Sequence, residues 1–172
     1  MEQPEVWLRG PVSNIPSLLQ PVAHAIMQSL EEVEKLMKEF PEDKLWGRPA
    51  GVASPGFHLQ HLTGVLDRLF TYARGEGLSQ DQFDYLRQEG SAPSDPITVS
   101  DLLENFREQV EKSLRQLEQT DEASLLRPIG VGRKKLPSNV LGLLFHAAEH
   151  TQRHTGQLLV TVRVLNGGLE HG

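Results

Sequence analysis

The chain has 172 residues, 38% of them hydrophobic, with 17 basic and 23 acidic side chains and a formal charge of −6. That length suits one domain, expected to span 1–172, and can bury a core without staples. Cysteine is absent, which excludes disulfides, thiolate metal sites, iron–sulfur clusters and a cysteine nucleophile, and the net acidity argues against nucleic acid as a partner, since that binding depends on neutralising phosphates.

Residues 1–14, with Pro4, Gly10 and Pro11, read as an irregular N-terminal arm. A first helix is expected from Ile15–Pro16, or later if Pro21 sits in its first turn. Leu18, Leu19, Val22, Ile26, Leu30, Val33, Leu36 and Met37 recur at helical spacing up to Phe40. Residues 41–53, holding Pro41, Gly47, Pro49 and Gly51, read as a long loop. Ser54-Pro55 is a start signal, an N-cap serine followed by proline at the first helical position. Leu59, Leu62, Leu66, Leu69 and Ala73 then form one stripe that ends near Gly75–Gly77.

A short helix is expected over 80–88 and a turn-rich connection over Gly90–Pro96. Thr98-x-x-Asp101 has the form of a capping box, and Leu102, Leu103, Phe106, Val110, Leu114 and Leu117 follow with helical period to about Thr120. Residues 121–137 form a long connection whose centre, Ile129–Leu136, suits a short hairpin. Ser138 is expected to cap a last helix running to about Asn166, with Gly167-Gly168 as its stop. No long strand pattern competes. The fold class is therefore all-α, a four-helix bundle whose second and third connections are long enough to cross over. The longest apolar run, Val140–Phe145, is far shorter than the about 20 residues of a membrane span. No basic segment followed by an apolar one opens the chain. No membrane partner and a cytoplasmic location are expected.

Any metal site must come from histidine and carboxylates, and seven histidines are present. On the last helix Leu143, Ala147, His150, His154, Leu158, Thr161 and Leu165 make one core stripe. His150 and His154 thus face the interior four residues apart, where their Cβ atoms lie about 5–6 Å from each other and two imidazoles can share one ion. The second helix offers His58 and His61 beside its own stripe, and either can supply a third ligand across the core. Three neutral imidazoles plus water make an open metal site, and imidazole suits zinc, nickel, copper or iron. His146, one turn before His150, is a candidate fourth ligand. His24 reads as core or as a neighbour of the site, and His171 as a tail residue. Glu149, Asp67, Arg68, Arg153 and Gln157 lie near the candidate ligands in sequence, where an Asp or Glu can orient an imidazole. Gly64 and Gly156 are mid-helix glycines suited to close helix approach or to ligand access. Residue 151 is Thr, so the zinc-protease motif with its built-in base is absent; no Glu-x-x-His, Walker loop or dinucleotide-binding glycine fingerprint occurs either.

The stretch His150-Thr-Gln-Arg-His154-Thr-Gly156-Gln157 resembles the H-x-x-x-H-x-G-Q signature in the last helix of the DinB/YfiT-like superfamily, and His61-Leu-Thr-Gly-Val-Leu-Asp67-Arg68 resembles its histidine-bearing second helix. The resemblance extends over almost the whole chain in helix number, order and size. It implies a crossover four-helix bundle, often a homodimer. It also implies a divalent ion, usually nickel or zinc, held by residues matching His61, His150 and His154. Several members are thiol-dependent S-transferases or isomerases, so the resemblance implies a metal-dependent thiol transferase or a related hydrolase or isomerase. Its small-molecule substrate would be joined by a low-molecular-weight thiol arriving as cosubstrate. The alternatives are a non-catalytic metal- or ligand-binding bundle with a structural ion, closed by His146 or His58, and a metal-free dimeric scaffold with histidines in its core.

Overall fold

Residues 3–167 are described by a computed structural model of the chain. The N-terminal arm forms a single 3-10 turn, Val6–Arg9, fastened to the first helix by the Val6 N–H on Gln28 Oε1 at 2.8 Å and by an Arg9–Glu31 ion pair. Another 3-10 turn, Ser17–Leu19, leads into α1, Gln20–Met37. Pro21 lies in the first turn of α1, so the helix begins at the later of the two expected points.

Helix α2 is Pro55–Arg74. Ser54 Oγ accepts the Phe57 N–H at 3.1 Å, and Gly75, in the left-handed region at φ 88°, terminates it. The short α3, Gln80–Gln88, and α4, Val99–Glu118, both carry complete capping boxes, Ser79 with Gln82 and Thr98 with Asp101. Strand β1, Pro128–Val131, pairs antiparallel with β2, Leu136–Asn139, with Ile129 opposite Ser138. Helix α5, Val140–Gly167, follows at once. The hairpin extends to Asn139 rather than stopping at Leu136, which corrects the expected cap. Ser138 is drawn into the ladder, and Asn139 Oδ1 accepts the Gly142 N–H at 2.7 Å in its place. Gly168 and His171 lie outside the described residues.

Each of α1 and α2 packs on both α4 and α5. Leu59, Leu62 and Leu66 from α2, Leu102 and Phe106 from α4 and Leu144 and Leu158 from α5 are almost wholly buried between them. Burying a side chain of this size contributes about 1.5–3 kcal/mol. Helix α3 differs in kind, since none of its residues is buried. It is held to α2 by polar contacts: Gln82 Nε2 donates to Asp67 Oδ2 at 2.7 Å, and Tyr85 Oη donates to the Gln60 carbonyl at 3.1 Å. No helix among the described residues is long and apolar enough to cross a membrane.

In urea denaturation, Phe106→Ala is expected to cost about 3–5 kcal/mol by opening a core cavity. Asn139→Ala is expected to cost about 1 kcal/mol through loss of the α5 cap, and Ser138→Ala less. A larger loss for Ser138→Ala than for Asn139→Ala would contradict the cap assignment.

Candidate metal centre

The Ser54 cap sets the phase of α2 so that Phe57, His58 and His61 meet His150 and His154 of α5. His61 Nε2 stands 2.9 Å from His150 Nε2, and the His61 and His154 ring centroids are 4.4 Å apart. His150 and His154, one turn apart, have centroids separated by 4.6 Å. One nitrogen from each of the three rings lies within 4.8 Å of the other two. Ligand nitrogens around a tetrahedral zinc ion stand about 3.3 Å apart, given zinc–nitrogen bonds of about 2.0–2.1 Å. The set therefore has the size one ion requires. The Phe57 ring stacks on His61 at 5.2 Å with an interplanar angle of 11° and shields that face of the imidazole from water.

The proton positions follow from the neighbours. Glu89, at the C-terminal end of α3, has a side chain only 4% exposed, and its Oε2 accepts from His61 Nδ1 at 2.6 Å. An ionised carboxylate only accepts, so His61 Nδ1 carries a proton and directs Nε2 toward His150. The other carboxylate oxygen, Oε1, accepts from Arg68 Nη1 at 2.6 Å, which neutralises the buried acid. Gly64 makes room for this group: a Cβ there would fall inside contact distance of Glu89 Oε1, Arg68 Nη1 and Tyr85 Cε1. Gly90, at φ 84°, turns the chain after Glu89 so that its N–H donates to Gln60 Oε1 at 2.8 Å. His154 Nδ1 meets His58 Nδ1 at 3.1 Å, so one of those rings donates to the other. His150 Nδ1 is buried with no hydrogen-bond partner among the described residues.

Burial pushes His58 and His150 down to about 4 and His154 to about 3, with the neighbouring His61 acting in the same direction. These rings are neutral at pH 7. Metal ligation by histidine needs the neutral ring, and imidazole donors suit a divalent transition-metal ion without selecting one.

The remaining sequence candidates separate. His146 is exposed, and its Nδ1 lies 3.3 Å from Glu149 Oε2. With His150 these two form a second group of potential ligands at the rim. Glu149 is occupied by Arg153, and Asp67 accepts from Gln82 rather than from a histidine. Gln157 is exposed and lines a cavity beside His58. His24 is far from this group, with Nε2 3.1 Å from the Gly10 carbonyl, where it holds the arm. Glu89 and Phe57 were not singled out by sequence reasoning. Phe57 carries a weak signal as the residue preceding His58; Glu89 carries none, because its contact with His61 spans 28 positions through a helix attached only by polar bonds.

The sequence model of the DinB superfamily matches residues 25–158, a range that contains every residue of this centre. A crystal structure of a conserved protein from Enterococcus faecalis is similar at a TM-score of 0.70 with 16% identity, covering 87% of this chain and 97% of that one. One from Streptococcus pneumoniae is similar at 0.63 with 13% identity, covering 90% and 92%. At such identities the likeness concerns the fold. No curated protein matches the chain.

Glu89→Ala is expected to weaken zinc binding about 10–100-fold in a chelator competition, the usual cost of losing a carboxylate behind a ligand imidazole. Gly64→Ala should act in the same direction by pushing Glu89 aside; unchanged affinity in both would refute the role given to Glu89. A second expectation concerns pH. Between the ordinary histidine value of 6.5 and about 4, the unfolded metal-free chain takes up protons that buried His58 and His150 refuse. Stability therefore falls as pH falls through that window. Urea midpoints measured on metal-free protein from pH 7.5 to 4.5 check this, and a flat or rising profile on acidification would contradict it.

Proposed function

Since the chain belongs to the DinB superfamily, we propose that His61, His150 and His154 hold one divalent ion, zinc or nickel, and that the protein is a metal-dependent transferase of a low-molecular-weight thiol to an electrophilic small molecule. The observation that carries this reading is the convergence of three imidazoles within 4.8 Å, with a buried carboxylate behind one of them. A divalent ion with an open coordination position lowers the pKa of a thiol or water that binds it. The chain supplies no thiol of its own, which makes the thiol a cosubstrate.

The chain's own residues have separable tasks. Glu89 keeps the His61 proton on Nδ1 and so presents Nε2. His58 holds the His154 ring through their paired Nδ1 atoms. Phe57 dries one face of His61. In this reading residues 1–172 are one domain, a crossover four-helix bundle that works in the cytoplasm as a homodimer. A related hydrolase or isomerase reaction would use the same ligands.

Elemental analysis of tag-free protein is expected to find about one equivalent of divalent metal per chain, lost in His150→Ala/His154→Ala. Cobalt-substituted protein is expected to change its visible spectrum when a small thiol such as cysteamine is added. Absence of metal uptake from zinc or nickel solutions would overturn the metal reading. Metal uptake without a thiol response would overturn the transferase and leave a structural ion.

A further inference from the structure

A cavity of about 560 Å³ opens beside the histidine cluster, between the loop before α2 and the C-terminal half of α5. Val52, Ala53 and Val160 give it apolar walls, and its polar lining is His58, Arg153, Gln157 and Thr161. No acidic residue lines it, although the chain as a whole carries a charge of −6.

Two of the lining groups belong to largely buried residues and offer a polar atom that no described residue takes up. His58 is 3% exposed, and since its Nδ1 is occupied by His154 Nδ1, its Nε2 is left for the cavity that the ring lines. Thr161 is 5% exposed, and its hydroxyl bonds no described residue. Thr151 and Thr155 on the same helix behave differently, each donating to the carbonyl four residues back. Among the described residues the side-chain atoms both sealed from water and without a partner are Ser29 Oγ and His150 Nδ1, so His58 Nε2 and the Thr161 hydroxyl remain open to a molecule that enters the cavity. At the rim, Arg153 gives Nε and Nη2 to Glu149 and keeps Nη1 unused. That exposed pair is worth little and yields readily to a second anion. Gly156 completes the shape: a Cβ there would meet nothing within 4 Å, so the missing side chain leaves open volume rather than room for a neighbouring helix.

We propose that this cavity binds a small monocarboxylate with an apolar body. The hydrocarbon lies against Val52, Ala53 and Val160, and the carboxylate takes hydrogen bonds from His58, Thr161 and Arg153. A site of this volume matches the usual size of small-molecule pockets, about 300–1,000 Å³. The proposal rests on the preceding reading only in naming this ligand as the substrate, since His58 joins the cavity to His154. The binding itself needs no metal.

The test is titration of metal-free protein with hexanoate, followed by amide NMR, with hexanamide as the uncharged control and metal content determined on parallel zinc-loaded samples. Metal-free protein is used so that no carboxylate can be held by an ion. Saturable hexanoate shifts are expected at residues 52–53 and 156–161, about tenfold weaker for hexanamide and in Arg153→Gln. They are expected to vanish in Gly156→Trp and in Val160→Trp, two positions with open space around them, while both variants keep the zinc stoichiometry of the parent. Lack of saturable binding, or binding that survives both tryptophans, would overturn the site; equal affinity for hexanamide would overturn the carboxylate. If hexanoate binds as expected and zinc does not, the metal reading fails while the cavity stands; zinc uptake without hexanoate binding gives the reverse.

Discussion

Four imidazoles crowded at the seam between α2 and α5, with a buried carboxylate set against one of them, set the terms for everything else in this molecule. Gathering neutral polar rings out of water costs free energy unless each nitrogen finds a partner. His58 and His154 satisfy one nitrogen apiece through each other, and His61 satisfies one through Glu89, but His150 Nδ1 is left without any. A fold selected for stability alone would fill this seam with leucine, as it does at Leu59, Leu62 and Leu158 on the same two helices. The histidine cluster is where polar atoms go unsatisfied, and a cation taking three lone pairs at once would offset that cost.

The buried acid Glu89 reaches the cluster by an unusual route. Helix α3 contributes no buried residue, yet it delivers the carboxylate that decides the His61 tautomer. Its attachment depends on the absence of a side chain at Gly64 and on polar contacts to α2. Arg68 shares Glu89 with His61, so the burial of one carboxylate is compensated by a guanidinium on one side and an imidazole on the other. Burial also pushes the Tyr85 phenol up to about 12, keeping it protonated as the donor that ties α3 to the Gln60 carbonyl. The two mid-helix glycines thus have different uses: Gly64 admits α3, and Gly156 leaves open volume in the cavity beside His58.

Periodicity made the long helices and the inward-facing pair of α5 histidines readable in advance. The stripe from Leu143 to Leu165 placed His150 and His154 inward, and both lie half-buried in the cluster. The capping box at Thr98 was equally plain, because its signal is local and chemical. Three features escaped for physical reasons. Ser138 and Asn139 are both good caps, and only the hairpin register, a tertiary matter, consigns Ser138 to the strand. His58 and His61 sit on adjacent edges of one stripe, so spacing could not tell which of them groups with His150 and His154; the 2.9 Å between His61 Nε2 and His150 Nε2 does. Glu89 itself was out of reach, since no helical or strand repeat links position 89 to position 61.

The central claim is that His61, His150 and His154 share one ion. Zinc K-edge X-ray absorption on the zinc-loaded protein tests it most directly. The expected spectrum shows three imidazole nitrogens at about 2.0–2.1 Å with at least one lighter exchangeable ligand, and loses imidazole scattering in His61→Ala. A shell made only of oxygen, or one whose imidazole count is unchanged in that variant, would contradict the claim.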